Sequence, residues 1–249
     1  MNITWNAKEY KDHFSFVPSY GEDLFSLIDA PAGSRVVDLG CGNGALTQKL
    51  AERGFSVLGL DASAEMLALA KELHPGLEFR LADATSFHLE EKADVIFSNA
   101  VFHWIDDQKA LLRCIADNLK PGGQLVCEFG GVGCAKSVHD ALSYGFARRG
   151  LSYSMPFYFP TIGEYAPLLE EQDLRVCFAS LFDRPTPQEG PDGLINWIRM
   201  FDQKPFSGIS DTLTQEILKE AASRLRPILY QNGKWVVDYV RIRIKAVRL

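Results

Sequence analysis

Nine residues, Val36-Val37-Asp38-Leu39-Gly40-Cys41-Gly42-Asn43-Gly44, constrain the fold more than any other stretch of the chain. A β-branched run ends in an acid, and three alternating glycines lead into a helical pattern from Ala45. The run reads as a buried strand, the glycines as a tight turn, and the next segment as a helix whose free N–H groups face a ligand. Glycine takes up positive φ and lets the backbone approach that ligand with no Cβ in between. In α/β proteins such a unit holds a nucleotide or a nucleotide-like cofactor.

The same β–α rhythm continues. Helix 45–53 ends at Gly54, and 56–61 reads as a second strand. Ser63 is a good N-cap for a helix that runs to Leu73, and Pro75-Gly76 breaks it. Strands follow at 77–81, 94–98 and 124–129, with a helix at 108–119. This alternation with short turns predicts a Rossmann-like, mostly parallel sheet with helices on both faces. After Gly130-Gly131 the rhythm changes. Helices are expected at 133–150, 162–172, near 191–201 and at 210–229, with an aromatic–proline loop at 155–160 and a strand at 174–182. The last stretch, 235–249, alternates most clearly: Val240, Ile242, Ile244 and Ala246 face one way, Arg241, Arg243, Lys245 and Val247 the other. One apolar and one basic face predict an edge or near-edge strand with the basic stripe in solvent. The expected organisation of residues 1–249 is one domain: an aromatic-rich arm or lid (1–30), a cofactor-binding core (31–130), and substrate-cap helices with the final strands (131–249).

Charge and cysteine usage narrow the partners. A formal net charge of −6, with no basic block beyond the C-terminal stripe, argues against strong nucleic-acid binding. No apolar stretch approaches the length of a membrane span, and the first residues lack a signal-peptide core. The five cysteines are scattered with no CxxC pair, so neither a metal site nor a disulfide framework is expected. A cytoplasmic location and a small-molecule substrate are the simplest expectations.

The glycine motif alone leaves the cofactor open. Gly40-x-Gly42-x-x-Ala45 satisfies the dinucleotide fingerprint, and Asp61 lies at the spacing of a ribose ligand. A nucleotide-dependent oxidoreductase is therefore one alternative, and a catalytically silent binding module another. Three features pull away from a dinucleotide. Asp38 stands two residues before the first glycine, where a pyrophosphate gains nothing from a negative charge but an ammonium or sulfonium does. A second acidic tip, Asp83-Ala84, follows the third strand, where an acceptor can take an adenine amino group. No second βαβαβ half follows Phe129.

In order and spacing, Val37-Asp38-Leu39-Gly40-Cys41-Gly42-Asn43-Gly44, Leu60-Asp61-Ala62-Ser63, Ala82-Asp83-Ala84, Ser98-Asn99-Ala100-Val101-Phe102-His103-Trp104 and Lys120-Pro121-Gly122-Gly123 resemble the class I S-adenosylmethionine-dependent methyltransferases. More loosely, the Trp5-Asn6 start, the Asn99-to-Trp104 stretch and Ile195-Asn196-Trp197-Ile198 before a long final strand resemble the trans-aconitate methyltransferase group. The resemblance implies a seven-stranded sheet with its last strand antiparallel and a helical cap inserted between the last two strands. It also implies S-adenosyl-L-methionine as cofactor. On it, Gly40, Cys41 and Gly42 pass under the methionine part through their backbone, with Asp38 near its amino group. Asp61 accepts both ribose hydroxyls, Ala62 and Met66 flank the adenine, Asp83 and the Ala84 N–H read its edge, and the Asn99 backbone accepts from the ammonium.

Methyl transfer from a sulfonium is an in-line displacement that needs positioning and water exclusion rather than a metal. A carboxylate acceptor needs no general base, whereas a phenol or amine does. His103 is the candidate catalytic group, as a substrate contact or base, against the alternative of a histidine packed beside Trp104. Candidate substrate walls are Trp5, Tyr10 and His13 on the arm, with Trp104, Tyr158, Trp197, Arg199 and Phe201 further along. Arg199 is the candidate to hold a carboxylate bidentately.

Overall fold

The structure, a computed structural model, describes residues 21–249. The arm expectations, including Trp5, Tyr10 and His13, lie outside the described residues. The central sheet is built from β1 (Arg35–Leu39), β2 (Ser56–Asp61), β3 (Glu78–Leu81), β4 (Ala93–Asn99), β5 (Leu119–Gly130), β6 (Leu174–Gln188), the short β7 (Tyr230–Gln231) and β8 (Lys234–Arg248). Their order is β3-β2-β1-β4-β5-β8-β6, with β7 paired to β8. Strands β1 to β5 pair in parallel, whereas β8 runs antiparallel to both β5 and β6.

Alternation along the parallel strands sends successive side chains to opposite faces. Val37, Ile96 and Leu125 meet α3 (Gln108–Asn118) and α5 (Ile162–Glu170) through Leu111, Ile115, Tyr165 and Leu169. Val36, Val95, Phe97 and Val126 instead meet α1 (Ala45–Glu52) and a 3-10 turn (Glu22–Leu27) through Leu46, Leu50, Leu24 and Phe25. Helix α2 (Ala64–Leu73) packs Leu67 and Ala70 on Phe79 and Cys41. Helices α4 (Lys136–Ala147), α6 (Gly193–Phe201) and α7 (Asp211–Leu229) form a cap with its own core, including Val138, Leu142, Trp197, Ile217 and Val237.

Two features of the antiparallel end differ from the sequence reading. Strand β6 continues to Gln188 through Pro185 and Pro187. As the outer strand of the sheet it tolerates them, because every second residue turns its N–H away from the neighbour. Strand β8 is therefore flanked on both sides, and its basic stripe is not a solvated edge. Arg243 of β8 and Arg184 of β6 both bind the buried carboxylate of Glu128 on β5. Among the described residues no helix is long and apolar enough to cross a membrane. Nor do these residues hold a His, Cys, Asp and Glu grouping suited to a metal ion.

The strand order reverses between β1 and β4. At such a switch point the loops leaving adjacent strands part in opposite directions and open a crevice at their C-terminal ends. The glycine loop leaves β1 there, and the segment 100–107 leaves β4.

Candidate active site

The glycine loop is shaped by close approach. Gly40, Gly42 and Gly44 have φ of 78°, 55° and 79°. A Cβ on Gly40 would lie 2.2 Å from the Val101 side chain, and one on Gly44 would lie 2.7 Å from Phe79. The loop is pinned to the end of β2: the Gly40 and Cys41 N–H groups donate to the Leu60 carbonyl at 2.7 and 3.0 Å. Asp61 adds the outer clasp. Its Oδ2 accepts from the Gly42 N–H and its Oδ1 from the Ser63 N–H, each at 2.8 Å. Burial pushes the Asp61 carboxyl up, and these backbone donors oppose the shift.

Beside the loop lies a cleft of about 680 Å³, part of it open to solvent, lined by Gly40, Asp61, Ala62, Asp83, Ala84 and Val101 among others. Asp83 holds an Asx turn by accepting from the Thr85 N–H at 2.8 Å and its hydroxyl at 2.5 Å. Those bonds hold its carboxyl below the usual range, so it stays an anion at the rim. Asp106 and Asp107 also line the cleft and are not among the residues the sequence pattern picks out. Asp107 is the N-cap of α3, a signal that was legible.

Asp38 sits beneath the loop, 2% exposed, with the Thr47 hydroxyl donating to Oδ2 at 2.6 Å. Burial, helped by the nearby Asp61 charge and opposed by the Thr47 bond, raises its carboxyl to about 7. Cys41 contributes backbone only, since its side chain packs among Leu67, Ala70 and Phe79 and burial pushes its thiol up. Met66 is 3% exposed in α2, outside the residues that line the cleft, and its terminal methyl would lie 3.3 Å from a Cβ on Gly42, so it packs against the glycine loop. Asn99 ends β4 half-buried, in register with Glu128.

On the other side of the segment 100–107 is an aromatic chamber of about 480 Å³, also partly open. Trp104, Phe157, Phe159, Trp197, Phe201 and Tyr239 line it with His103 and Arg241. Phe157 and Phe159 stack at 5.1 Å with their planes 7° apart. In the extended loop that carries them, alternation turns Tyr158 away. Its N–H donates to the His103 carbonyl and its ring packs near Tyr165, so it is not a wall of the chamber. Arg199 also departs from expectation. Two positions from Trp197 on α6, it is exposed and borders a separate hollow with Gln203 and Ser207.

Arg241 of β8, and not Arg199, lines the chamber. Its guanidinium lies over the Tyr239 ring at 4.6 Å, and it has no carboxylate partner among the described residues. The chamber wall is braced from behind: the Tyr153 hydroxyl donates to buried Asp202 at 2.6 Å and lies 2.6 Å from His139 Nδ1. That network ties the aromatic loop to α4 and to the end of α6.

His103 is buried among Trp104, Phe157 and Phe159. Its Nδ1 accepts from the Gly130 N–H at 3.2 Å, which places the proton of the neutral ring on Nε2. Burial first, and the Arg241 charge second, hold its pKa well below 6.5. A ring with Nδ1 so engaged and a proton on Nε2 is a neutral donor, and of the two expected roles this arrangement suits the substrate contact better than the base.

Residues 37–127 match the family described as Methyltransferase domain. An uncharacterized methyltransferase, C70.08c, of Schizosaccharomyces pombe is 29% identical over 97% of each chain. A trans-aconitate 2-methyltransferase of Deinococcus radiodurans is 32% identical over 79% of this chain and 80% of its own. Among solved structures, a Haemonchus contortus phosphoethanolamine N-methyltransferase in complex with S-adenosylhomocysteine shares the fold at a TM-score of 0.58. It is 19% identical, with 92% of this chain and 52% of that one covered.

Proposed function

The chain belongs to the class I S-adenosylmethionine-dependent methyltransferases, near the trans-aconitate group, and from that premise we propose that it methylates a carboxylate of a small molecule. The cradle suits the methyl donor. Three positive-φ glycines set the course of the loop, and Asp61, which clasps it, lines the cleft beside them. In this reading Asp61 takes the ribose hydroxyls, Asp83 and the Ala84 N–H take the adenine edge, and Ala62 flanks its plane. The backbone of Gly40, Cys41 and Gly42 runs under the methionine part, with Asp38 and the Asn99 carbonyl serving its ammonium group. Bound there, S-adenosylmethionine supplies a sulfonium methyl: the acceptor oxygen bonds to the methyl carbon as the C–S bond breaks, the electron pair stays on sulfur, and a carboxylate releases no proton.

Arg241 is the observation that carries the carboxylate reading. A guanidinium in an aromatic chamber, without a carboxylate of its own among the described residues, matches a carboxylate in charge and in bidentate geometry. His103 adds a neutral Nε2–H donor, which orients an oxygen without competing for a proton. The aromatic walls exclude water. The D. radiodurans relative is named for a carboxylate acceptor, which favours the same class.

The test is transfer of a labelled methyl group from S-adenosylmethionine to a panel of acids, phenols and amines. The expected product is an alkali-labile ester. Arg241→Gln is expected to raise KM for the acid about 100-fold, the loss of a charge-assisted pair, while leaving S-adenosylmethionine affinity unchanged. Methylation confined to phenols or amines would overturn the proposal.

A further inference from the structure

Resting on that carboxylate reading, we infer that the acceptor is a monoanion with a flat unsaturated body, an aryl or conjugated enoic acid, and not a polycarboxylate. The charge count is the first argument. Among the described residues lining the chamber, Arg241 is the only cation. The guanidiniums of Arg184 and Arg243 are committed to Glu128, whose side chain is 1% exposed. A second or third carboxylate entering the chamber would face ring surfaces, whose π faces are negative, and would lose its hydration with no cationic partner among the described residues.

The walls are the second argument. Six aromatic side chains surround the space, and the Phe157 and Phe159 rings lie parallel in an offset stack, so that ring surface dominates the wall. Gly130 is what admits that surface, since a Cβ there would lie 2.3 Å from the Phe159 ring. The sheet end is thus relieved of a side chain where a ring is seated. Flat apolar ligands gain offset-stacked or edge contacts from such walls, whereas small polar acids gain little. Arg241 and the His103 Nε2–H together provide for one carboxylate, and the remaining wall is apolar.

The experiment uses the full chain with matched acids: benzoate- and cinnamate-type acids, saturated monoacids of similar carbon number, and tricarboxylates including trans-aconitate. Binding is read without methyl donor by tryptophan fluorescence, because Trp104 and Trp197 line the chamber. Turnover is read as S-adenosylhomocysteine release. Aryl and enoic acids are expected to quench fluorescence and to exceed tricarboxylates in kcat/KM by about 100-fold. Phe159→Leu is expected to reduce the preference for aryl over saturated acids about tenfold at unchanged S-adenosylmethionine affinity. A preference for tricarboxylates would overturn this inference and leave the carboxylate reading standing. Methylation of phenols or amines, with no acid bound or turned over, would overturn both.

Discussion

Asp38→Asn is expected to stabilise the ligand-free protein while weakening its hold on the methyl donor. Burial raises the Asp38 carboxyl from 3.8 to about 7. Between those values the folded chain keeps a proton that the unfolded chain has lost. Stability therefore falls as pH rises through the window, and the full cost persists above it. A shift of about three units corresponds to a cost of about 4 kcal/mol, a large part of the stability of an ordinary domain. Asparagine carries no charge and still offers an oxygen to the Thr47 hydroxyl, so it removes the cost without orphaning that donor. In urea denaturation of ligand-free protein, the advantage of Asp38→Asn is expected to approach about 4 kcal/mol at pH 8 and to fall below about 2 kcal/mol at pH 5. Calorimetric titration with S-adenosylmethionine should show the reverse preference. Wild-type affinity is expected to weaken as pH drops through about 7, with the variant weak and flat throughout. An advantage that is absent at pH 8, or that does not shrink on acidification, would refute the picture of a desolvated carboxylate held for a cationic ligand.

Asp61→Ala removes the acceptor of the Gly42 and Ser63 N–H groups as well as the proposed ribose ligand. It is expected to cut S-adenosylmethionine affinity at least tenfold, about 1.4 kcal/mol, by calorimetry. His103→Gln is expected to lower kcat/KM for an acid without introducing or removing a limb of the pH–rate profile above about pH 6.5, because burial holds the ring neutral there. A wild-type limb that disappears in the variant would restore the base. Glu128→Gln leaves Arg184 and Arg243 without their carboxylate in a largely buried site. It is expected to cost about 3–5 kcal/mol of unfolding free energy in denaturant titration.

Much of this architecture was legible before any coordinates. The apolar runs of β1 and β4, the helices between the strands and the Gly-rich turn each carry a local signal, either a period of hydrophobicity or a residue that only one backbone conformation suits. Asp61 and Asp83 were legible for the same reason: each stands at the end of a strand, and in a parallel sheet the ends of neighbouring strands meet. Even the antiparallel last strand announced itself through its alternation.

Periodicity states which residues share a face, not what covers that face. Alternation grouped Arg241 with Arg243 and Lys245, and only the insertion of β8 between β5 and β6 turned one arginine toward Glu128 and the other into the chamber. The same limit exchanged Arg199 for Arg241, and Tyr158 for Phe157 and Phe159, because the rotation of α6 and of the loop 155–160 is set by contacts with elements distant in sequence. The sequence alone thus determined the glycine loop and the acids that stand around its cleft, since that machinery is local to one strand–turn–helix unit and its neighbours. Which side chains line the aromatic chamber was decided by tertiary packing, because they come from segments that no local rule brings together.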